Sequence, residues 1–217
     1  MREPGVFGNR QANFGALRAS GIALRGQRVL EVGCGSGYLC EYVRALGGSV
    51  VGCDISLPET TPVAPFVQAD GVALPFRQRF DVVLSFDVFE HIPDSDQHLR
   101  EVRRVLRPGG HYLLQTPNKV TNSVFETIRW RSFTAWRSDH CSLHTFGQLQ
   151  RRLRSFGFSV RFLDIPVVNP YFLDKINTHL GPLGVRAVTL VNPDRFPIRY
   201  RTNFYVVAQA ELAREVD

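Results

Sequence analysis

Lysine is nearly missing from this sequence of 217 residues. Only Lys119 and Lys175 carry it, so the net charge of +6 and the isoelectric point near 9.5 rest almost wholly on arginine. Arginine favours flat, bidentate contact with carboxylates and phosphates. A basic balance suits nucleic acid, an anionic membrane surface or an anionic substrate, and it equally suits a mere coding bias toward arginine. The arginines are scattered rather than gathered into a tail, which disfavours a nucleic-acid partner. Long apolar runs are missing too. Nothing approaches roughly 18 consecutive apolar residues, so no membrane-spanning segment is expected. The first residues lack the apolar centre of a secretory signal. Cysteine is sparse, at Cys34, Cys40, Cys53 and Cys141, with no CxxC pair and no zinc-ligand spacing. A reduced, cytoplasmic setting is the simplest expectation. No repeat or low-complexity tract occurs. The length fits one domain with a proper core, expected over residues 1–217.

What is present is an alternation. A leading helix is expected over 10–24, with Phe14, Leu17 and Leu24 as apolar anchors. Strands are expected at 28–32, 49–53, 65–68, 80–85, 111–116, 158–164 and 203–210. Helices are expected at 37–46, 94–106 and 145–155, the second broken by Pro108-Gly109-Gly110. Such alternation predicts an α/β fold, a mostly parallel sheet with helices on both faces. Ligands bind such sheets at the carboxyl ends of the strands. Segments 118–142 and 165–202 interrupt the alternation. Long excursions of this kind are usually functional, and a lid over an acceptor site is the expectation.

The most informative stretch is Val29-Leu30-Glu31-Val32-Gly33-Cys34-Gly35-Ser36-Gly37, which runs from strand through a tight loop toward a helix. Glycines let the backbone take positive φ and approach a ligand closely. The spacing is Gly-x-Gly-x-Gly, not the Gly-x-Gly-x-x-Gly that delivers a pyrophosphate to a helix N-terminus. Glu31, just before the loop, suits a cationic ligand and not a pyrophosphate. Asp54 closes the second strand, where an acid accepts from ribose hydroxyls. Asp70 follows the third, placed to accept from an exocyclic amine.

These residues resemble the class I S-adenosylmethionine-dependent methyltransferases. The resemblance runs through VLEVGCGSG at 29–37, CDIS at 53–56, QADGVALPF at 68–76, FDVVLSFDVFEHI at 80–92, LREVRRVLRPGGHYLLQTPN at 99–118 and HTFGQLQRRLRSFGF at 144–158. Within that superfamily it is nearest the small-molecule branch, including the ubiquinone-pathway O-methyltransferases. The resemblance implies a Rossmann-like sheet of seven strands, with the last inserted antiparallel beside the fifth. It implies S-adenosyl-L-methionine as cofactor. Glu31, Gly33, Gly35 and Gly37 then surround the methionine end, Asp54 meets the ribose, and Asp70 with Gly71 meets the adenine. Ser85 and Phe86 lie beside the sulfonium. Cys34 and Ile55 complete the expected cofactor contacts.

Methyl transfer from a sulfonium needs alignment and exclusion of water, and a base only when the acceptor carries a proton to lose. Asp87, Glu90 and His91 form one cluster after the fourth strand. On a helix, positions i, i+3 and i+4 share a face, so the three are a candidate Mg2+ site. The resemblance supplies a similar acid-x-x-Glu-His run with a metal role, although the first acid here is Asp. Packing is the alternative reading of that run, and His91 as a metal-free base is another. His140 and His144 are further candidate bases, or plain loop histidines. Thr116 and Asn118 line the cleft by topology, and Thr145 reads as a helix cap. Val120, Val124, Phe125 and Ile128 lie at helical spacing, followed by Trp130, Phe133 and Trp136 among Arg129, Arg131 and Arg137. This 120–137 stretch reads as a lid, or as a surface resting on an anionic bilayer. The expected activity is methylation of a small molecule, directed at oxygen rather than nitrogen or carbon. An RNA or protein methyltransferase, or a non-catalytic module that only binds the cofactor, are the alternatives. Oligomeric state is not legible.

Overall fold

The computed structural model describes residues 10–58, 61–77, 79–132, 134 and 140–212. Seven strands form one sheet: β1 (Arg28–Val32), β2 (Ser49–Asp54), β3 (Phe66–Gln68), β4 (Phe80–Phe86), β5 (Leu106–Pro117), β6 (Phe158–Leu163) and β7 (Asn203–Ala210). Their order is β3-β2-β1-β4-β5-β7-β6. Pairing is parallel from β3 through β5, while β7 runs antiparallel to both β5 and β6. This is the expected Rossmann-like sheet with its last strand reversed.

Strand alternation builds two cores. Leu30 and Val32 of β1 join Leu99, Val102 and Val105 of α3 (Ser95–Val105) and Leu149 and Leu153 of α5 (Phe146–Ser155) on one face. Val29 joins Ala16 and Leu17 of α1 (Arg10–Ala19) and Leu39 and Val43 of α2 (Tyr38–Ala45) on the other. Successive strand residues point to opposite faces, so one five-residue strand serves both layers. Most element ends fall within a few residues of expectation. Helix α1 is shorter than expected, stopping at Ala19. Strand β5 is longer, because Leu106 already pairs with Phe80 before a register shift leads to Val82 opposite His111.

The two excursions are helical. The first holds α4 (Lys119–Trp130), capped by Asn118, whose side chain accepts from the Val120 N–H. Thr145 caps α5 through a capping box with Gln148, as its spacing predicts. The second excursion contains α6 (Pro170–Val191), a helix that no continuous period in the sequence announces. Its two helical pieces meet at Gly181, at φ 66°, just before Pro182. Glycine and proline in the middle of the segment hide the helical period on either side. Arg201 ties this excursion down by ion pairs to Asp164 at 2.9 Å and Asp194 at 3.6 Å. Among the described residues no helix is long and apolar enough to cross a membrane.

Candidate functional site

Two cavities open at the carboxyl ends of the strands. The first, of about 530 Å3, is lined by Gly33, Asp54, Ile55, Asp70, Gly71, Asp87 and His91, with neighbouring backbone. Of the glycine loop after β1 only Gly33 lines it, while Cys34, Gly35 and Gly37 line a small separate pocket beside Gly52 and Phe66. Gly33, Gly35 and Gly37 hold φ of 71°, 47° and 76°, where side chains other than glycine are strained. A Cβ on Gly33 would run into the Val88 side chain, whereas one on Gly35 would meet open space. The loop is thus pinned on one side and open on the other.

Asp54 holds the loop as well as facing the cavity. One carboxylate oxygen accepts from the Gly35 N–H at 2.9 Å and the other from the Ser56 N–H at 3.0 Å. Asp70 accepts from the Val72 N–H at 3.1 Å. Ile55 is 67% exposed at the cavity wall, an uncovered apolar surface suited to a flat ring. His98, which the sequence reading did not single out, supports Gly71 from below. Its Nδ1 lies 2.9 Å from the Gly71 carbonyl and its Nε2 lies 3.0 Å from the Tyr112 hydroxyl. Complete burial pushes its pKa down to about 4, so it stands neutral.

Glu31 lines neither cavity. It sits 2% exposed in β1, behind the loop. Burial pushes its pKa up to about 8, against the pull of hydrogen bonds from Cys40. Its Oε2 has no hydrogen-bond partner. An orphaned carboxylate oxygen behind an open glycine loop fits a cationic ligand. Cys34 and Cys53 are buried, with thiol pKa values raised to about 12 by desolvation, and Cys40 is raised further. None is a nucleophile at neutral pH. Ser85 and Phe86 are buried in β4 and line neither cavity.

The second cavity, of about 340 Å3, lies under α4 and α6. Asp87, Glu90, His91, His140, Phe125 and Tyr171 are among its walls, with Glu126 and Lys175. Glu90 and Glu126 are only 2% and 4% exposed. The His91 and His140 rings meet edge to face, 5.1 Å between centres. Asn122 Nδ2 lies 2.9 Å from His140 Nδ1. The cavity-facing side of α4 carries Thr121, Asn122, Phe125 and Glu126, whereas Val120, Val124 and Ile128 are each more than half exposed. Of Val120, Val124, Phe125 and Ile128, only Phe125 lines the cavity. Phe133, Trp136 and Arg137 lie outside the described residues, as do the side chains of Arg129 and Trp130.

The expected cation cluster is not assembled. Asp87 takes a left-handed φ of 55°, its N–H bound to the Gln115 side chain at 2.7 Å. Phe89–His91 is one 3-10 turn, so the helical i, i+3, i+4 face does not exist. Glu90 instead accepts from the Thr116 hydroxyl at 3.1 Å. Among the described residues no group of three His, Cys, Asp or Glu is arranged to hold a metal ion. His144 lies outside both cavities. Its Nδ1 lies 2.9 Å from the Ser142 carbonyl and its Nε2 lies 3.2 Å from Arg152, and burial lowers its pKa to about 4. Thr116 and Asn118 are buried behind the cavity and do not line it. The Asn118 amide donates to the Arg199 and Arg201 carbonyls, joining the two excursions.

Comparison with known proteins agrees with this architecture. Residues 9–162 match the family model of the methyltransferase domain. A ubiquinone biosynthesis O-methyltransferase of Chelativorans sp. (strain BNC1) is 31% identical over 180 residues, covering 75% of this chain and 70% of that protein. One from Rhizobium etli (strain CIAT 652) is 35% identical over 124 residues, covering 52% of this chain and only 50% of that protein. Among solved structures, an S-adenosylmethionine-dependent methyltransferase from Mesorhizobium loti superposes with a TM-score of 0.64 at 20% identity, covering 91% of this chain and 97% of that one. Magnesium protoporphyrin IX methyltransferase from Synechocystis PCC 6803, with bound SAH, gives 0.60 at 17% identity, covering 94% and 83%. The chain belongs to the methyltransferase domain family, and it is an S-adenosylmethionine-dependent methyltransferase.

Proposed function

We propose that this chain methylates a hydroxyl of a small-molecule acceptor held beneath α4 and α6. The observation that carries the reading is that the two cavities share Asp87 and His91. A group bound over the glycine loop and a group bound under α4 and α6 meet at those two side chains. In-line transfer requires that adjacency. The second cavity, at about 340 Å3, suits a compact acceptor rather than a polymer, which favours this reading over an RNA or protein substrate. The names of the relatives point the same way.

In this reading the glycine loop at Gly33, Cys34, Gly35 and Gly37 cradles the methionine end. Glu31, behind it, ionises as the cationic ligand binds and then supplies negative charge. Asp54 accepts from the ribose hydroxyls with the lone pairs left over from Gly35 and Ser56. Ile55, Asp70 and Gly71 flank the adenine. Ser85 and Phe86 shape the floor from beneath. Bound S-adenosylmethionine supplies an activated methyl group. His91, between the cavities, accepts the proton of the acceptor hydroxyl, and His140 packs against it. Residues 1–217 act as one domain, with 118–142 and 165–202 as its lid. The exposed Val120, Val124 and Ile128 beside Lys119 suit contact with an anionic bilayer, from which an apolar acceptor would reach the cavity.

The test is turnover with a panel of phenols and catechols, followed by formation of the demethylated cofactor. The His91→Ala variant should lose about 100-fold in kcat with cofactor affinity unchanged. Full activity in that variant, or no transfer to any hydroxyl acceptor while amines are methylated, would overturn the proposal.

A further inference from the structure

A third cavity lies at the opposite end of the sheet and takes no part in the chemistry above. It is about 520 Å3, and its walls include Gln27, Arg107, His111, Ser159, Arg161 and Gln209. It sits toward the amino ends of the strands, with Gln27 just before β1. The cofactor loop leaves the other end of β1, five residues on, a separation of about 16 Å at the rise of an extended strand.

Strand register explains how these side chains come together. Val82, His111, Gln209 and Ser159 are successive partners across β4, β5, β7 and β6. Partners in one row share a face of the sheet. Arg161 lies opposite Val207, two residues along, on that same face. Val82 and Val207 belong to the core covered by α1 and α2, but α1 ends at Ala19 and leaves the end of this face open. The sheet thus presents a floor of apolar and polar residues with arginines on two sides.

Each arginine is held by one partner. Arg107 Nε pairs with Asp81 at 2.6 Å, and Asp81 also accepts from the Arg28 N–H. Arg161 donates one Nη to the Ser20 carbonyl at 2.7 Å, fixing the guanidinium against the chain that leaves α1. A guanidinium has five N–H donors, so both retain capacity for a ligand. Among the described residues no carboxylate lines the cavity. His111 feels the same field: burial first, then Arg107 and Arg161, lower its pKa.

We infer that this cavity binds the phosphate group of a small organic phosphate, with Arg107, Arg161 and His111 around the anion. Two preset arginines and an imidazole match a tetrahedral dianion, and planar guanidinium forks favour phosphate oxygens. The cavity exceeds the size of a free phosphate, and Ile22, Ala23, Val82 and Val207 supply an apolar wall for an organic body. The ligand occupies the far side of the sheet and leaves the cofactor cleft open.

The test uses the full chain and proton NMR of its six histidines, with the His111→Gln spectrum assigning the His111 signal. Ribose 5-phosphate and inorganic phosphate are titrated at constant ionic strength against chloride. Each phosphate should shift the His111 signal saturably and raise its pKa, because the anion offsets the two arginines. Ribose 5-phosphate should bind at least tenfold more tightly than inorganic phosphate. Arg161→Gln should weaken ribose 5-phosphate at least tenfold, while cofactor binding and methyl transfer stay unchanged. A response no larger than that to chloride overturns the inference. So does equal affinity for the two phosphates, or binding insensitive to Arg161→Gln in a variant that still binds cofactor.

Discussion

Replacing Glu31 by Gln should make the protein less sensitive to rising pH, and the size of the effect follows from burial. The carboxyl is 2% exposed, with one oxygen unpartnered, and its folded-state pKa stands near 8 against 4.5 in an ordinary setting. The folded value is the higher one. Between those two values the folded chain keeps a proton that the unfolded chain has released. The stabilising contribution is therefore fully present below about pH 4.5 and is lost as pH rises through about 8. Each pH unit is worth about 1.36 kcal/mol, so the loss across the interval is about 5 kcal/mol, an order-of-magnitude figure. Glutamine has the same shape and does not titrate. Urea unfolding of both proteins from pH 4 to pH 9, in the absence of cofactor, gives their stability difference at each pH. The difference should grow in favour of Glu31→Gln up to about pH 8 and then level off. Taking the difference cancels the other titrating groups. Saturating S-adenosylmethionine should shrink it, because a cation near the loop favours the ionised carboxylate. A difference that stays flat over the whole range would refute the assignment of a buried, protonated Glu31.

Asp54→Ala removes the acceptor for two loop N–H groups as well as for ribose. Calorimetry should show cofactor affinity at least tenfold weaker, corresponding to about 1.5–3 kcal/mol. An unchanged dissociation constant would place the ribose elsewhere. Gly33→Ala meets both the Val88 side chain and a φ of 71°, and should cost about 2–4 kcal/mol in a denaturant titration. Adding Val88→Ala should recover only the steric part. His98 titrates in the opposite sense to Glu31. Its folded pKa of about 4 lies below the ordinary 6.5, so its stability is present above pH 6.5 and lost as pH falls through 4. That loss amounts to about 3 kcal/mol. His98→Gln should flatten the acid limb of the stability profile by that amount, and an unaltered limb would contradict it.

Several features were legible in the chain itself. A Gly-x-Gly-x-Gly loop states its backbone requirement directly, because only glycine tolerates three nearby positive φ values without strain. Asp54 and Asp70 follow strands whose apolar pattern is local, so their place at the carboxyl edge followed from the alternation. The reversed β7 beside β5 came from resemblance, since nothing in a strand's composition tells its direction. What only the tertiary structure decided is what depends on distant partners. Asp87, Glu90 and His91 have helical spacing and line one cavity, but a left-handed residue and a single 3-10 turn replace the helical face. His144 has a candidate base's place in the sequence, but its two ring nitrogens lie against Ser142 and Arg152 and it lines neither cavity. The acceptor cavity takes walls from α4 and α6, whose nearest ends are forty positions apart, and the kink at Gly181-Pro182 hides α6 from any periodic reading. Glu31 was visible as an acid, but its protonation is set by the burial that the assembled sheet and α2 impose. Local backbone demands are written in neighbouring residues, whereas burial, protonation and cavity walls arise from contacts that sequence order does not record.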